Sequence, residues 1–476
     1  MKLRAHAVAL TFGLLLMAAG NCPLRAAEVE AATKPGETWR KYPTRTLAEV
    51  DALARTSPDG ELDRYGGVIH RTAKATGFFR TEKLAGRWWL VSPEGHLFIH
   101  RGVASVRTTD TPGAKAALAG KFGSASNWAE GAAALLRQHG FNGLGGWSDA
   151  DKLREVKQPL VYTRLWNFMG SYGRKRGGTV MQPGHLGYPN DCIFVFDPGF
   201  EKFCDGYAQQ LAKTKDDPWL LGHFSDNEMP FPREALKNSL ELPATDAGNV
   251  AAREFLAKRH GRNVTAKDIT PQDAEDFLGL VAERYFTIVS RAIKKHDPNH
   301  LYLGSRFYGA HLRFPEVFKA CGPHVDVVSV NYYRAWTPVA DRLAMWERES
   351  GRPILITEWY AKGADSGMGN TGGAGWLVKT QRDRGLFYQN FALALLESKV
   401  CVGWDWFRYM DNDPDDKKVD PSNRDSNKGI VSNRYAPYEP LLSAMKELNQ
   451  RTIAIVDHFD RRSAPGASVR PPGEGN

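Results

Sequence analysis

The sequence predicts an α/β fold, a (β/α)8 TIM barrel with a short N-terminal extension, and two observations carry that prediction. From about residue 95, short apolar runs alternate with amphipathic stretches of helical period, the pattern of repeated β-α units. There are eight such apolar runs, the number that closes a parallel barrel. An open doubly wound sheet is the alternative, but no glycine-rich phosphate-binding turn follows any of the runs.

The eight apolar runs are predicted to be the barrel strands. In chain order they are 98–103, 141–147, 160–166, a run from 219 that ends at Asp226, 301–306, 325–331, 353–358 and 400–407.

Helical signals separate these strands. Asn127 and Glu130 form a capping-box-like start before a helix that Gly140 ends. A stripe from Phe277 to Ala292 predicts a long helix. Further helices are expected at 384–396 and 439–448.

The N-terminus has the pattern of a secretory signal peptide. Lys2 and Arg4 precede an apolar run at 7–19, and small residues follow at Ala26 and Ala27. The run is too short to span a membrane. We therefore expect a secreted or periplasmic protein that has no membrane association after signal cleavage.

These features give four predicted segments. They are a signal peptide at 1–27, an N-terminal extension at 28–94 that packs on the barrel, the (β/α)8 barrel at 95–460 and a disordered tail at 461–476.

Composition narrows the possible partners. The net charge of +9 suits an anionic polymer, yet no basic stripe interleaved with aromatic residues indicates nucleic acid. The 13 Trp and 16 Tyr fit either an aromatic core or a groove on which sugars stack. No C-x-x-C spacing indicates a metal, and no cofactor is expected. Four cysteines remain after cleavage, and neither their pairing nor the oligomeric state is readable from the sequence.

Two glutamates stand at predicted strand ends, where the active site of a barrel lies. Glu228 follows the fourth strand and Glu358 ends the seventh, 358 − 228 = 130 residues later. Strands four and seven face each other across a barrel mouth, and carboxyls about 5 Å apart there suit retaining glycoside hydrolysis. Surface ion pairs with neighbouring cations are the alternative for each glutamate.

Other strand-end residues are candidate substrate contacts. An amide at Asn227 suits a sugar 2-hydroxyl, and Tyr333 suits orientation of Glu358. Trp406 is either a platform under a sugar ring or part of the barrel packing. The full set of candidate contacts is Asn227, Asn331, Tyr333, Trp406, Arg101 and Arg306. The glycine-rich run after Glu358, GADSGMGNTGGAGW, is either a mobile lid or an ordered loop.

Several stretches resemble the retaining (β/α)8 glycoside hydrolases, and more narrowly β-agarases and their β-galactosidase-like relatives. They are RWWLVSPEGHLFIHRGVASV, HFSDNEMPF, DPNHLYLGSRF, ITEWYAKGADSGMGNTGGAGWLVKTQ and CVGWDWFRYMDND, in that order over about residues 80 to 450. The resemblance implies that Glu228 is the acid/base and Glu358 the nucleophile. It also implies that Asn227, Asn331, Tyr333 and Trp406 contact substrate.

The sequence departs from that pattern in two places. The segment before residue 80 is too short for the additional carbohydrate-binding domain of larger agarases, and Asp405 stands where a histidine is expected.

The expected protein is a secreted retaining β-glycoside hydrolase acting on a galactose-containing, agar-like polysaccharide or its oligosaccharides. The alternatives are an exo-acting β-galactosidase or other β-glycanase, and a barrel that binds carbohydrate without cutting it. The sugar, the linkage and endo or exo action are not encoded in any readable motif.

Overall fold

A computed structural model describes residues 27–182, 185–261, 266–417 and 424–462 of the chain. The predicted signal segment, apart from Ala27, lies outside these residues, and so does the predicted tail from residue 463.

An eight-stranded parallel sheet forms the centre of the molecule, and its strands follow one another around the sheet in chain order. We number these barrel strands 1 to 8. They are His100–Val103, Gly143–Leu144, Val161–Leu165, Leu220–Phe224, Leu301–Tyr302, Val328–Asn331, Ile354–Glu358 and Cys401–Trp406.

The sheet closes between strands 5 and 6. The Phe307 amide donates to the Ser329 carbonyl at 2.9 Å, and the Asn331 amide donates to the Phe307 carbonyl at 2.8 Å. The predicted (β/α)8 barrel is therefore confirmed.

Helices connect and surround the strands. Their bounds are Ala52–Thr56, Pro112–Phe122, Ala125–Gln138, Ala150–Leu153, Phe168–Arg176, Phe200–Ala208, Ala235–Leu240, Ala247–His260, Pro271–His296, Pro315–Cys321, Ala340–Ser350, Gln381–Glu397, Glu439–Asn449 and Thr452–Arg461. In the described part of the chain, no helix is both long and apolar enough to cross a membrane.

A small antiparallel sheet covers the amino-terminal end of the barrel. Its strands are Val68–Thr72, Arg80–Leu84, Arg87–Val91 and His96–Phe98. Phe79, Leu90 and Phe98 are buried against the apolar residues that fill the barrel interior, such as Leu303 and Leu355. The barrel is thus a packed core that is closed from below, and its polar chemistry is confined to the opposite end.

A second small sheet joins residues 27–44 to the loop after strand 7. Ala27–Ala32 pairs with Arg40–Thr44 and with Trp376–Val378, which in turn pairs with Ala361–Gly363. A hairpin of Val180–Gln182 and His185–Gly187 stands apart from these sheets. Within the glycine-rich run, the Asn370 side chain donates to the Gly363 carbonyl at 3.0 Å. This run is an ordered, hydrogen-bonded loop.

Candidate active site

Asp226 anchors the segment that carries Asn227 and Glu228. Its buried carboxylate accepts hydrogen bonds from the Met169 and Gly170 amides at 2.9 and 3.0 Å and from the Tyr285 hydroxyl at 2.6 Å. Burial raises the pKa of Asp226 to about 6, and these donors oppose that shift. Asp226 therefore has a structural role: it fixes the chain directly before Glu228.

Asn331, at the end of strand 6, holds the carboxyl of Glu228. The Asn331 amide nitrogen donates to Glu228 Oε1 at 2.8 Å and to Asn227 Oδ1 at 3.1 Å. The Asn331 oxygen accepts from the Thr357 hydroxyl at 2.8 Å. This chain of hydrogen bonds connects the ends of strands 4, 6 and 7.

Glu358, which is only 5 % exposed, accepts two hydrogen bonds from charged or polar neighbours. Arg306 Nη2 donates to Glu358 Oε1 at 2.7 Å and to the Thr357 carbonyl at 3.1 Å. The Tyr333 hydroxyl donates to Glu358 Oε2 at 2.6 Å. Both donors favour the ionised carboxylate.

The two glutamates interact electrostatically and have different protonation preferences. Burial, and then the charge of Glu358, raise the pKa of Glu228 to about 8. Burial also raises the pKa of Glu358, but Arg306 and Tyr333 oppose that change. One proton shared by the pair therefore resides on Glu228, while Glu358 remains the better-stabilised anion.

Several residues that follow barrel strands have left-handed backbone conformations, among them Trp147, Glu228 and Arg306 at the site. Their φ angles are 61° for Trp147, 52° for Glu228 and 55° for Arg306. Such conformations cost non-glycine residues of order 1 to 3 kcal/mol and are concentrated at functional sites.

The structure does not bring all the predicted contacts to this cluster. Arg101 is buried and its Nη1 pairs with Asp59 at 3.1 Å. Trp406 is fully buried, packs against Trp359 at a centroid distance of 5.3 Å and donates to the Lys428 carbonyl at 2.9 Å. Its side chain belongs to the aromatic core, which was the alternative interpretation.

Two residues that were not predicted as contacts lie at the site. Lys428 is 2 % exposed, its ammonium lies 5.1 Å from the ring centroid of Tyr360, and its charge lowers the pKa of both glutamates. The half-buried ring of Trp147 faces the Arg306 guanidinium at 4.1 Å and forms an edge contact with Phe407 at 6.0 Å. The sequence placed Trp147 at a strand end. Lys428 lies in a long loop, where no sequence pattern indicated that it belongs to the site.

One buried cluster has metal-ligand residue types, His223, Asp297 and His300. Its atoms already bond to protein groups: His223 donates to Asp297 at 2.8 Å and accepts from the Trp166 indole at 2.9 Å. His300 contacts Asp297 at 2.8 Å and the Asp217 carbonyl at 2.9 Å. This arrangement fits a structural hydrogen-bond network. A second group consists of Asp63, Glu94 and His96, of which Asp63 is buried. Asp63 accepts from the Gly67 amide and contacts His96, and so stabilises a turn beside the small lower sheet.

The chain is a (β/α)8 barrel with two paired carboxyls at the ends of strands 4 and 7, and the comparisons with known proteins show which proteins it is similar to. Among curated proteins, the chain is similar to two β-agarases. It is 27% identical to β-agarase B of Vibrio sp. (strain JT0107) over an alignment that covers 87% of this chain and 53% of that protein. It is 28% identical to β-agarase A of the same strain over an alignment that covers 68% of this chain and 36% of that protein.

The chain thus spans about half the length of the first of these relatives and about a third of the second. No protein-family model matches it.

Solved structures agree with the fold over most of the chain. The crystal structure of BpGH50 superposes with a TM-score of 0.81 at 29% identity and covers 92% of this chain and 96% of its own. The structure of the agarase AgWH50C superposes with a TM-score of 0.69 at 24% identity and covers 86% of this chain and 68% of its own. The latter similarity supports the fold alone.

Proposed function

We propose that the protein is a secreted retaining β-glycoside hydrolase that acts on a galactose-containing, agar-like polysaccharide or its oligosaccharides. The observation that carries this proposal is the unequal pair of carboxyls at the ends of strands 4 and 7. Glu228 holds a proton because its pKa is raised to about 8, and Glu358 is stabilised as an anion by Arg306 and Tyr333.

The reaction has two displacements. Glu228 donates its proton to the glycosidic oxygen as the bond to the anomeric carbon breaks, and a Glu358 oxygen bonds to that carbon from the opposite face. Glu228, now ionised, then takes a proton from water, whose oxygen attacks the anomeric carbon and displaces Glu358. Two inversions leave the β configuration unchanged.

The substrate is inferred from the relatives. The two curated relatives are named β-agarases, which supports a galactose-containing polysaccharide as the substrate class. Secretion is supported by the charged, apolar and small-residue pattern of residues 1–27.

The test compares products from agarose, neoagaro-oligosaccharides and aryl β-galactosides. Wild type, Glu358→Gln and the control Glu347→Gln are assayed together. Glu347 is a suitable control because its carboxylate pairs with Lys83 and the Trp88 indole, outside the site. We expect wild-type and control cleavage, and a loss of at least about 10³-fold in Glu358→Gln. Product sizes distinguish endo from exo action.

Azide assigns the two carboxyl roles. In Glu358→Ala, azide is expected to restore turnover and to yield the α-glycosyl azide, since it attacks from the face that the nucleophile occupied. In Glu228→Ala, it should yield the β-glycosyl azide. Equal activity of Glu358→Gln and wild type would refute the mechanism. A wild type that binds but never cuts these glycans would indicate a carbohydrate-binding barrel.

A further inference from the structure

A histidine–aspartate pair lies inside the barrel beneath the two glutamates. His100, on strand 1, contacts Asp405 Oδ1 on strand 8 through Nε2 at 2.8 Å, and both side chains are fully buried. Apolar residues such as Val402 and Leu355 fill the neighbouring barrel interior. A carboxylate placed there is costly and calls for a specific reason.

Glycines on the adjacent strands make room for this pair. A Cβ atom at Gly102 or Gly145 would fall within 3.0 Å of the Asp405 carboxyl, and one at Gly143 would fall equally close to the His100 ring. Any larger residue at these positions would displace the pair. The strands around it are therefore shaped to hold two polar side chains.

Asp405 lies directly below the Arg306–Glu358 ion pair. Trp404 is the partner of Ile356 in the sheet, which places Asp405 level with Thr357, one residue before Glu358. Arg306 Nη2 donates to the carbonyl of that same Thr357 at 3.1 Å.

Both Asp405 and Arg306 have polar atoms that form no hydrogen bond with the described residues. Within the described chain, Asp405 Oδ2 accepts no hydrogen bond, and Nε and Nη1 of the fully buried Arg306 donate none. A buried anion and a buried cation, each only partly paired, thus lie in adjacent layers at the top of the barrel.

We propose that Asp405, held in place by His100, is a positioning residue whose charge acts from below on the Arg306–Glu358 pair. Its negative charge stabilises the Arg306 guanidinium, which orients Glu358. The same charge offsets the positive charge beside Glu358 and so preserves the basicity of the Glu358 carboxylate. Consistent with this, the charge of Asp405 raises the pKa of Glu358. The inference rests on the role of Glu358 in the proposed function.

Other groups also face Glu358, and they must stay constant in the test. They are Glu228, Arg306, Tyr308, Tyr333, Tyr360, Arg408 and Lys428.

The experiment compares Asp405→Asn with His100→Gln. The asparagine keeps the shape and the acceptor for His100 but removes the charge. The glutamine keeps the charge and supplies a donor in the place of Nε2. Protein labelled with carbon-13 at the glutamate side-chain carboxyl is titrated by NMR, and the Glu358 signal is assigned from its loss in Glu358→Gln. This readout needs no turnover.

We expect the titration midpoint of Glu358 to move to lower pH in Asp405→Asn, by roughly half a unit to one unit, because a neighbouring negative charge is gone. His100→Gln should leave the midpoint in place. The acid limb of the pH profile of kcat/KM should move in the same direction for a substrate that the wild type cleaves. If Asp405→Asn fails to fold, Asp405→Ser removes the same charge and takes its place.

A Glu358 midpoint that is unchanged in Asp405→Asn, or that moves equally in both variants, would overturn the inference, since a merely structural pair gives these results. A wild type that cleaves no glycan would instead refute the proposed function, and the NMR comparison would still decide the role of Asp405.

Discussion

The Glu228 carboxyl has few partners that stabilise its charge, and its chemistry follows from that environment. Asn331 donates one hydrogen bond to it at 2.8 Å, whereas Glu358 receives bonds from both Arg306 and Tyr333. Burial of Glu228 is therefore opposed by few hydrogen bonds, and its pKa rises to about 8. A neutral carboxylic acid beside a carboxylate is the arrangement that an acid/base and nucleophile pair requires.

Glu228→Gln tests the assignment of the proton. We expect activity on oligosaccharides to fall by about 10² to 10⁴-fold, because no group protonates the leaving oxygen. Aryl glycosides with acidic leaving groups should lose much less. The wild-type pH profile should decline on its basic side near pH 8, as Glu228 loses its proton, and this decline should be absent from the variant. A basic limb that persists in Glu228→Gln would assign the proton to another group.

Tyr333→Phe removes one donor to Glu358 and leaves the ring in place. The hydroxyl, 2.6 Å from Glu358 Oε2, favours the ionised form, so its loss should raise the pKa of Glu358. The acid limb of kcat/KM should therefore move to higher pH, and kcat should fall by about tenfold or more. Tyr207→Phe is the control, since that hydroxyl donates to the Trp166 carbonyl. Identical acid limbs in wild type and Tyr333→Phe would contradict this role.

At the scale of elements, the apolar runs predicted all eight barrel strands, but backbone bends shortened some of them. Strand 5 is Leu301–Tyr302, where 301–306 was predicted, because Gly304 and Arg306 have φ angles of 78° and 55°. Hydropathy does not encode such angles. The helix predicted to begin at Asn127 is capped three residues earlier, where the Ser124 side chain accepts from the Asn127 amide.

The candidate site was predictable where its residues end strands, and not elsewhere. Glu228, Asn331 and Glu358 follow apolar runs, so the fold class alone places them at one end of the barrel. Lys428 lies beyond strand 8 in a loop without periodicity, and only the tertiary structure brings it to Tyr360. Trp406 was predicted either to face the sugar or to pack in the core. Side chains alternate between the two faces of a strand, but the register of strand 8 is irregular, so the sequence could not show which face Trp406 occupies.

The loops after strands 7 and 8 are joined by Asn370. Its side chain donates to the Gly363 carbonyl at 3.0 Å and accepts from the Asn427 amide at 2.8 Å, next to Lys428. The residue is 1 % exposed. The glycine-rich run is therefore held against the loop that delivers Lys428 to the site.

Asn370→Ala should loosen both loops. It leaves a buried amide without an acceptor, which costs about 1 to 3 kcal/mol. We expect faster proteolytic cleavage between residues 363 and 376 and a lower kcat, while the barrel remains folded by circular dichroism. Thr371→Ala, an exposed neighbour, is the control. Equal cleavage rates in the two variants would show that Asn370 does not restrain the run.

For the whole molecule, the two ends of the barrel have different functions. The site at the carboxyl ends of the strands holds buried charges and left-handed residues, which reduce stability. The opposite end is closed by apolar contacts from the small sheet, including Phe79 and Phe98, whose ring centroids are 5.2 Å apart. The extension thus contributes stability that the end carrying the candidate site does not supply.

Phe98→Ala tests this division. The side chain is fully buried between the small sheet and the barrel interior, so its truncation leaves a cavity and should lower the free energy of unfolding by about 3 to 5 kcal/mol. Ile69→Ala, in the same sheet but 41 % exposed, should change it by less than about 0.5 kcal/mol. Urea denaturation followed by tryptophan fluorescence measures both values. Because the cavity lies at the far end from Glu228 and Glu358, kcat of the folded Phe98→Ala variant should stay within about twofold of wild type. A large loss of kcat with unchanged stability would mean that the small sheet acts on the site and not on the fold.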